Sequence, residues 1–222
     1  MAELPKINIL YEDNHLLVVE KPVYMPVCED ESHDLDLLSV LKNYLKEKYQ
    51  KPGNVYLGLV HRLDRPVGGV MVFARTSKAA SRLSKEIVNH ELEKVYLAVV
   101  EGEVLESGEM FDYLVKDQKK NQSYVTDKQH GKEARLHYKR LGYRNGFSLV
   151  EIHLETGRSH QIRVQFSSRG FPLVGDAKYN PHHDGKTSIA LFAKKLSFYH
   201  PVTKEKLSFK LDVPKRYPFN LF

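Results

Sequence analysis

One cysteine, Cys28, is all the 222 residues contain, so no internal disulfide closes the fold and a thiolate zinc site has no ligands. Tryptophan is missing altogether. No apolar run nears the length of a membrane span, and the opening MAELPKINIL lacks a signal peptide's hydrophobic region, so a cytoplasmic protein is expected. Neither a Gly-x-Ser-x-Gly elbow nor a phosphate-cradling P-loop occurs. Internal repeats, low-complexity tracts and an interdomain linker are also lacking. A chain of this length can enclose a core unaided by metal or disulfide, and one domain over residues 1–222, monomeric by default, is expected.

What is present leans basic. Lys and Arg number 34 against 28 Asp and Glu, a formal charge of +6 before any of the 11 histidines titrate. That balance suits a phosphate-bearing partner. The 13 tyrosines and 10 phenylalanines supply rings able to stack on bases, although most belong to the core.

Along the chain, residues 7–20 hold two apolar runs around Glu12-Asp13-Asn14, a strand–turn–strand ended by Lys21-Pro22. Residues 34–49 place Leu37, Leu38, Leu41, Tyr44 and Leu45 at helical spacing and stop before Pro52-Gly53. Thr76 or Ser77 can cap a second helix running to about His90. Strands are expected at 94–100, 110–115, 122–126, 134–143, 147–154, 191–199 and 207–211, with Arg144-Asn145-Gly146 a hairpin turn and the lysine-rich 116–120 a basic loop. The segment Gly157–Gly170 fits either a strand or a helix capped by Gly170. Strands come in runs, so the class is α+β with a mostly antiparallel or mixed sheet and flanking helices.

The organising stretch is LVHRLDRPVGGVMVFAR, residues 59–75: an apolar run, a Pro/Gly turn, and a second apolar run. Asp64 lies at the mouth of that turn between Arg62 and Arg65, where guanidinium groups favour a carboxylate. A plain loop aspartate capping its own turn is the bland alternative. Two further clusters carry chemistry: Tyr96, following Lys94-Val95 in an apolar strand, and Arg158, His160, Gln161 and Arg163. Tyr96 can equally be core, and His160 and Gln161 can simply satisfy buried backbone groups. Asp176, His182, His183 and Asp184 lack metal-ligand spacing and read as a polar loop, so no metal is expected.

Taken in order, four blocks resemble the RluA-type pseudouridine synthases, from Ile9 to about Phe209: ILYEDNHLLVVEKP, HRLD at 61–64, Lys94-x-Tyr96-x-Ala98 with Gly102, and GRSHQIRVQFSSRGFPLVGDAKY. The resemblance implies the pseudouridine synthase fold with a central cleft, and an isomerase that needs no cofactor. Asp64 would be the catalytic aspartate, Arg163 its basic partner across the cleft, and Tyr96 the ring stacked on a flipped uracil. Arg62 would fill the gap left in the RNA, and His61, Arg65, Arg158, His160, Gln161 and Lys21 would contact RNA. Whether Asp64 attacks the ring or the ribose, or removes a ribose proton, stays open. Three departures are visible: Val67-Gly68-Gly69 where the family usually has Thr-Ser-Gly, and Gln165 and Phe192 where histidine is common. No S4-type domain is expected before Ile9, and target choice would then fall to this domain or to another protein. Ribosomal and transfer RNA are both candidate substrates. Two rival readings remain: an inactive RNA-binding protein on the same fold, and a glycosidic hydrolase using Glu155 as second acid.

Overall fold

The two apolar runs around Glu12-Asp13-Asn14 pair with each other. In the computed structural model, which describes residues 5–222, they form the antiparallel hairpin β1 (Asn8–Glu12) and β2 (Leu16–Lys21). Asp13 fastens its turn, Oδ1 accepting the N–H groups of His15 and Leu16 at 2.7 Å each. Helix α1 (Leu37–Lys48) follows, capped by Asp36, whose Oδ1 accepts the Ser39 N–H at 3.0 Å. Next come β3 (Gly58–Leu59), β4 (Gly68–Ala74) and α2 (Ser77–Val88), which Thr76 caps through the Ala79 N–H at 3.1 Å. The chain then builds a second unit before returning. This comprises β5 (Glu93–Glu101), β6 (Ser107–Asp117), β7 (Gln122–Thr126), β8 (Lys132–Arg144), β9 (Phe147–Leu154) and α3 (Gln161–Ser167). Strands β10 (Leu191–Tyr199) and β11 (Lys206–Lys210) close the sequence of elements.

Two compact units result. One ends at Leu92 and takes back Lys195–Leu211; the other comprises Glu93–Lys194 and Asp212–Phe222. The expected α+β class holds, with the described strand pairs antiparallel. Among the described residues no helix is long and apolar enough to cross a membrane.

In the first unit β4 pairs with β2 from Leu16↔Ala74 to Lys21↔Gly69. Leu16, Val18, Val70, Val72 and Ala74 pack with Ala79 and Leu83 of α2 and with Leu196 and Phe198. Leu17, Val19, Met71 and Phe73, of opposite parity, are buried as well, which explains why these strands read as unbroken apolar runs rather than alternating ones. The strand expected before the Asp64 turn is shorter than its apolar run. Only Gly58 and Leu59 pair, with Ala74 and Phe73. The reason is local: the His61 imidazole accepts the Val72 N–H on Nε2 at 3.1 Å, so a side chain occupies the position in the ladder where strand backbone would continue.

In the second unit β9 lies between β5 and β8, and β6 joins β8 to β7. Buried Ala134, Leu136 and Tyr138 alternate along β8 with exposed Arg135, His137 and Lys139, the signature of a sheet covered on one face. Helix α3 packs on this unit: Val164 meets Leu114 and Ala134, and the Phe166 and Tyr138 rings lie 5.3 Å apart. The β8–β9 turn has positive φ at both Asn145 and Gly146, the two-residue hairpin its residues predict. The ambiguous segment is a helix. It stops at Gly170, with φ of +81°, where the Phe171 N–H reaches back to the Phe166 carbonyl at 3.1 Å.

Candidate active site

Asp64 is presented by a turn anchored on both sides by buried apolar residues, Leu63 and Val67. Its own carbonyl accepts the Val67 N–H at 2.9 Å, which closes the turn. Gly68 follows at a close approach: a Cβ there would lie 3.1 Å from both the Lys21 carbonyl oxygen and Val23 Cγ1, so a larger residue needs these neighbours to give by a few tenths of an ångström. Val67 and Gly68 bring no hydroxyl to the turn, and the loop is held from beneath. Lys21 Nζ donates to the carbonyls of Pro22 at 2.9 Å, Arg65 at 3.0 Å and Val67 at 2.8 Å.

This corrects one expectation. Lys21 does not reach RNA, since it is 1 % exposed and its ammonium is wrapped in carbonyls. Burial pushes its pKa down to about 8; the Asp64 carboxylate opposes that shift and the Arg65 guanidinium adds to it. Arg62 is exposed. Arg65 is tied to the 30–34 turn through Asp34, Asp30 and the Ser32 hydroxyl at 2.9 Å. His61 has one ring nitrogen on the Val72 amide, as described above.

In the second unit, Tyr96 sits on β5 opposite Ile152 and is 7 % exposed. Arg158 is exposed, with Nε on the Glu133 carbonyl at 2.7 Å. Gln161 is a second correction. At 2 % exposure its Oε1 accepts the Thr156 hydroxyl and the Arg158 N–H, and its Nε2 donates to the Arg135 carbonyl at 3.0 Å. It locks the loop before α3 to β8 and has no face for RNA. His160 opens α3 in the left-handed region, φ +54°, with Nδ1 2.7 Å from the Tyr179 phenol. Lys94, two residues before Tyr96, is largely desolvated; burial lowers its pKa and the Arg158 charge lowers it further.

Arg163 is 4 % exposed and held by a residue first considered only for a metal. Asp176, 1 % exposed, takes Nε on Oδ2 at 2.8 Å and Nη2 on Oδ1 at 2.6 Å. Such a forked pair fixes both the plane and the direction of the guanidinium. Oδ1 also accepts the Lys178 and Tyr179 N–H groups at 2.9 and 3.3 Å, so the carboxylate belongs to its own loop as much as to Arg163. Removing the charge strands a buried cation. Asp176→Asn is therefore expected to lower unfolding free energy by about 3 kcal/mol, read as a shifted denaturant midpoint; an unmoved midpoint would contradict the pairing. Among the described residues no group of three His, Cys, Asp or Glu is placed to hold a metal ion.

The sequence family described as RNA pseudouridylate synthase matches residues 15–168, a span that includes Asp64, Tyr96 and Arg163. The chain belongs to that family. The ribosomal large subunit pseudouridine synthase D of Zymomonas mobilis is 33% identical over 94% of this chain and 70% of its own length. The tRNA pseudouridine synthase C of Haemophilus ducreyi is 31% identical over 98% of this chain and 96% of its own. Human RNA pseudouridylate synthase domain containing 4 superposes with a TM-score of 0.80 at 23% identity, covering 96% of this chain and 91% of that one. The family expected from the four sequence blocks and the pseudouridine synthase fold are both borne out. As a pseudouridylate synthase the chain is an isomerase, which removes the hydrolase reading; Glu155 is exposed and lies 3.2 Å from His137 Nδ1.

Proposed function

We propose that this chain converts uridine to pseudouridine within structured ribosomal or transfer RNA, with Asp64 as catalytic carboxylate, Arg163 as its counter-ion and Tyr96 as the ring beneath the extruded uracil. The bond from N1 to C1′ breaks, the uracil turns, and C5 bonds to C1′ while the C5 hydrogen leaves as a proton and N1 takes one up. Atoms and electrons balance without a redox partner. Reaching the base requires taking it out of the stack, a matter of a few kcal/mol that is smallest in loops and mismatches. Exposed Arg62 suits the gap left behind, and Arg65, Arg158, His160 and His61 border the loops that present the chemistry.

The observation that carries this reading is the mounting of the acid. A loop that only capped itself would not need a buried ammonium on three of its neighbouring carbonyls. The two relatives above are named for ribosomal and for transfer RNA respectively, so the substrate is to be found by mapping. Pseudouridine sequencing of total RNA with and without the protein is expected to lose one or a few sites, restored by wild-type protein and not by Asp64→Asn. Survival of every site, with no RNA modified by the purified protein, would sink the proposal.

A further inference from the structure

Tyr179 has no part in the chemistry above, yet its side chain joins three pieces of the second unit. Its ring lies against the Arg163 guanidinium, 5.1 Å from Cζ to centroid. Its phenol oxygen accepts the Ser123 N–H of β7 at 2.7 Å and is 2.7 Å from His160 Nδ1. A phenol has one proton and two lone pairs. With the Ser123 N–H on one lone pair, the bond to His160 Nδ1 uses either the phenol proton or the second lone pair, according to the histidine tautomer. Ser123 is 1 % exposed, so its amide depends on this acceptor.

The neighbouring residue fastens the same hairpin twice more. Lys178 Nζ donates to the Asn121 carbonyl at 2.7 Å, and Gln122 Nε2 donates to the Lys178 carbonyl at 3.1 Å. The segment 176–179 thus grips the Arg163 guanidinium through Asp176 and the Tyr179 ring, and the β6–β7 hairpin through Lys178 and the Tyr179 hydroxyl. The tip of that hairpin exposes Lys116, Lys119 and Lys120, with exposed Lys178 beside it. Its one nearby acid, Asp117, is engaged in the turn, accepting the Lys120 N–H at 3.0 Å. A lysine-rich strand end of this kind suits a phosphodiester backbone, read by charge rather than by base.

We propose that the β6–β7 hairpin is an RNA-backbone arm and that Tyr179 is a positioning residue which ties the seat of this arm to the orientation of Arg163. The proposal rests on the reading that RNA is the substrate and that Arg163 serves Asp64. Tyr179 closes the last of the four sequence blocks but lies outside the matched residues 15–168, and its role is argued from these contacts.

Three variants test it, each assayed for RNA binding and for kcat and KM, normalised to folded protein. Tyr179→Phe keeps the ring on Arg163 and deletes the bonds to Ser123 and His160. KM is expected to rise about tenfold, with the smaller effect on kcat. Tyr179→Leu removes the ring as well, and kcat is expected to fall by about a hundredfold more than in the Phe variant. The double variant Lys119→Ala, Lys120→Ala is expected to weaken RNA binding and to reduce the slope of log affinity against log salt by roughly 1.4 to 1.8. A merely structural tyrosine would lower folded yield without separating kcat from KM. Equal kcat in the Phe and Leu variants would overturn the positioning role, and an unchanged salt slope would overturn the arm. If the wild-type protein forms no pseudouridine, the functional reading fails by itself, while the salt slope still judges the hairpin by direct binding.

Discussion

Asp64→Asn is expected to lower turnover by about four orders of magnitude or more while RNA affinity stays within roughly threefold. The amide matches the carboxylate in size, so the turn closed by the Asp64 carbonyl and the Val67 N–H is kept. What is lost is the anion, required whether Asp64 attacks carbon or removes a ribose proton. Affinity is kept because phosphate contacts come from basic groups elsewhere. Single-turnover rates at saturating RNA, set beside equilibrium binding, separate the two quantities. A variant that keeps a tenth of wild-type turnover would remove Asp64 from the chemistry; one that loses affinity and turnover together would make it a binding residue.

Lys21→Met is expected to lower kcat by about a hundredfold with little change in KM, because a displaced carboxylate is penalised in the reacting geometry more than in binding. Methionine fills a similar volume but leaves the carbonyls of Pro22, Arg65 and Val67 without their shared donor. The pH dependence adds a sharper test. The folded-state pKa of about 8 lies below the free value of 10.5, so between these values the unfolded chain holds more protons than the folded one. The contribution of this group to stability is therefore complete above 10.5 and is lost as the pH falls to about 8. Turnover should run the opposite way, falling as the pH rises past about 8 and the ammonium that holds the loop is neutralised. Lys21→Met should remove that alkaline limb from the kcat profile. A limb of the same position in the variant would assign it to another group.

The elements with clean local signals were legible in sequence: β7, β9 and β10 occur with the expected bounds, and the Asn145-Gly146 turn is where its residues put it. The segment around Arg163 was ambiguous because every residue from Gln161 to Phe166 is buried, so neither a strand nor a helix period stands out against a solvent face. Other misses share one cause, a partner distant in the chain. Lys21 looked like a surface lysine ending a strand, yet its burial comes from carbonyls 44 and 46 residues away. The structural bond of His61, whose Nε2 accepts an amide of β4, had no local signal either. Asp176 drew notice beside His182 and His183 as a metal pattern, whereas a cation 13 residues earlier claims it. The signal that could have revealed Asp176 was the juxtaposition itself: a buried arginine on a short helix needs an anion, and Asp176 lies in the next loop.

The most direct measurement uses RNA carrying tritium at uridine C5. Bond formation at C5 expels that hydrogen, so wild-type protein should release tritium to water in step with pseudouridine formed, with no free uracil and no change in RNA length, and Asp64→Asn should release none above background. Free uracil in place of tritium, or equal release by the two proteins, would contradict the account.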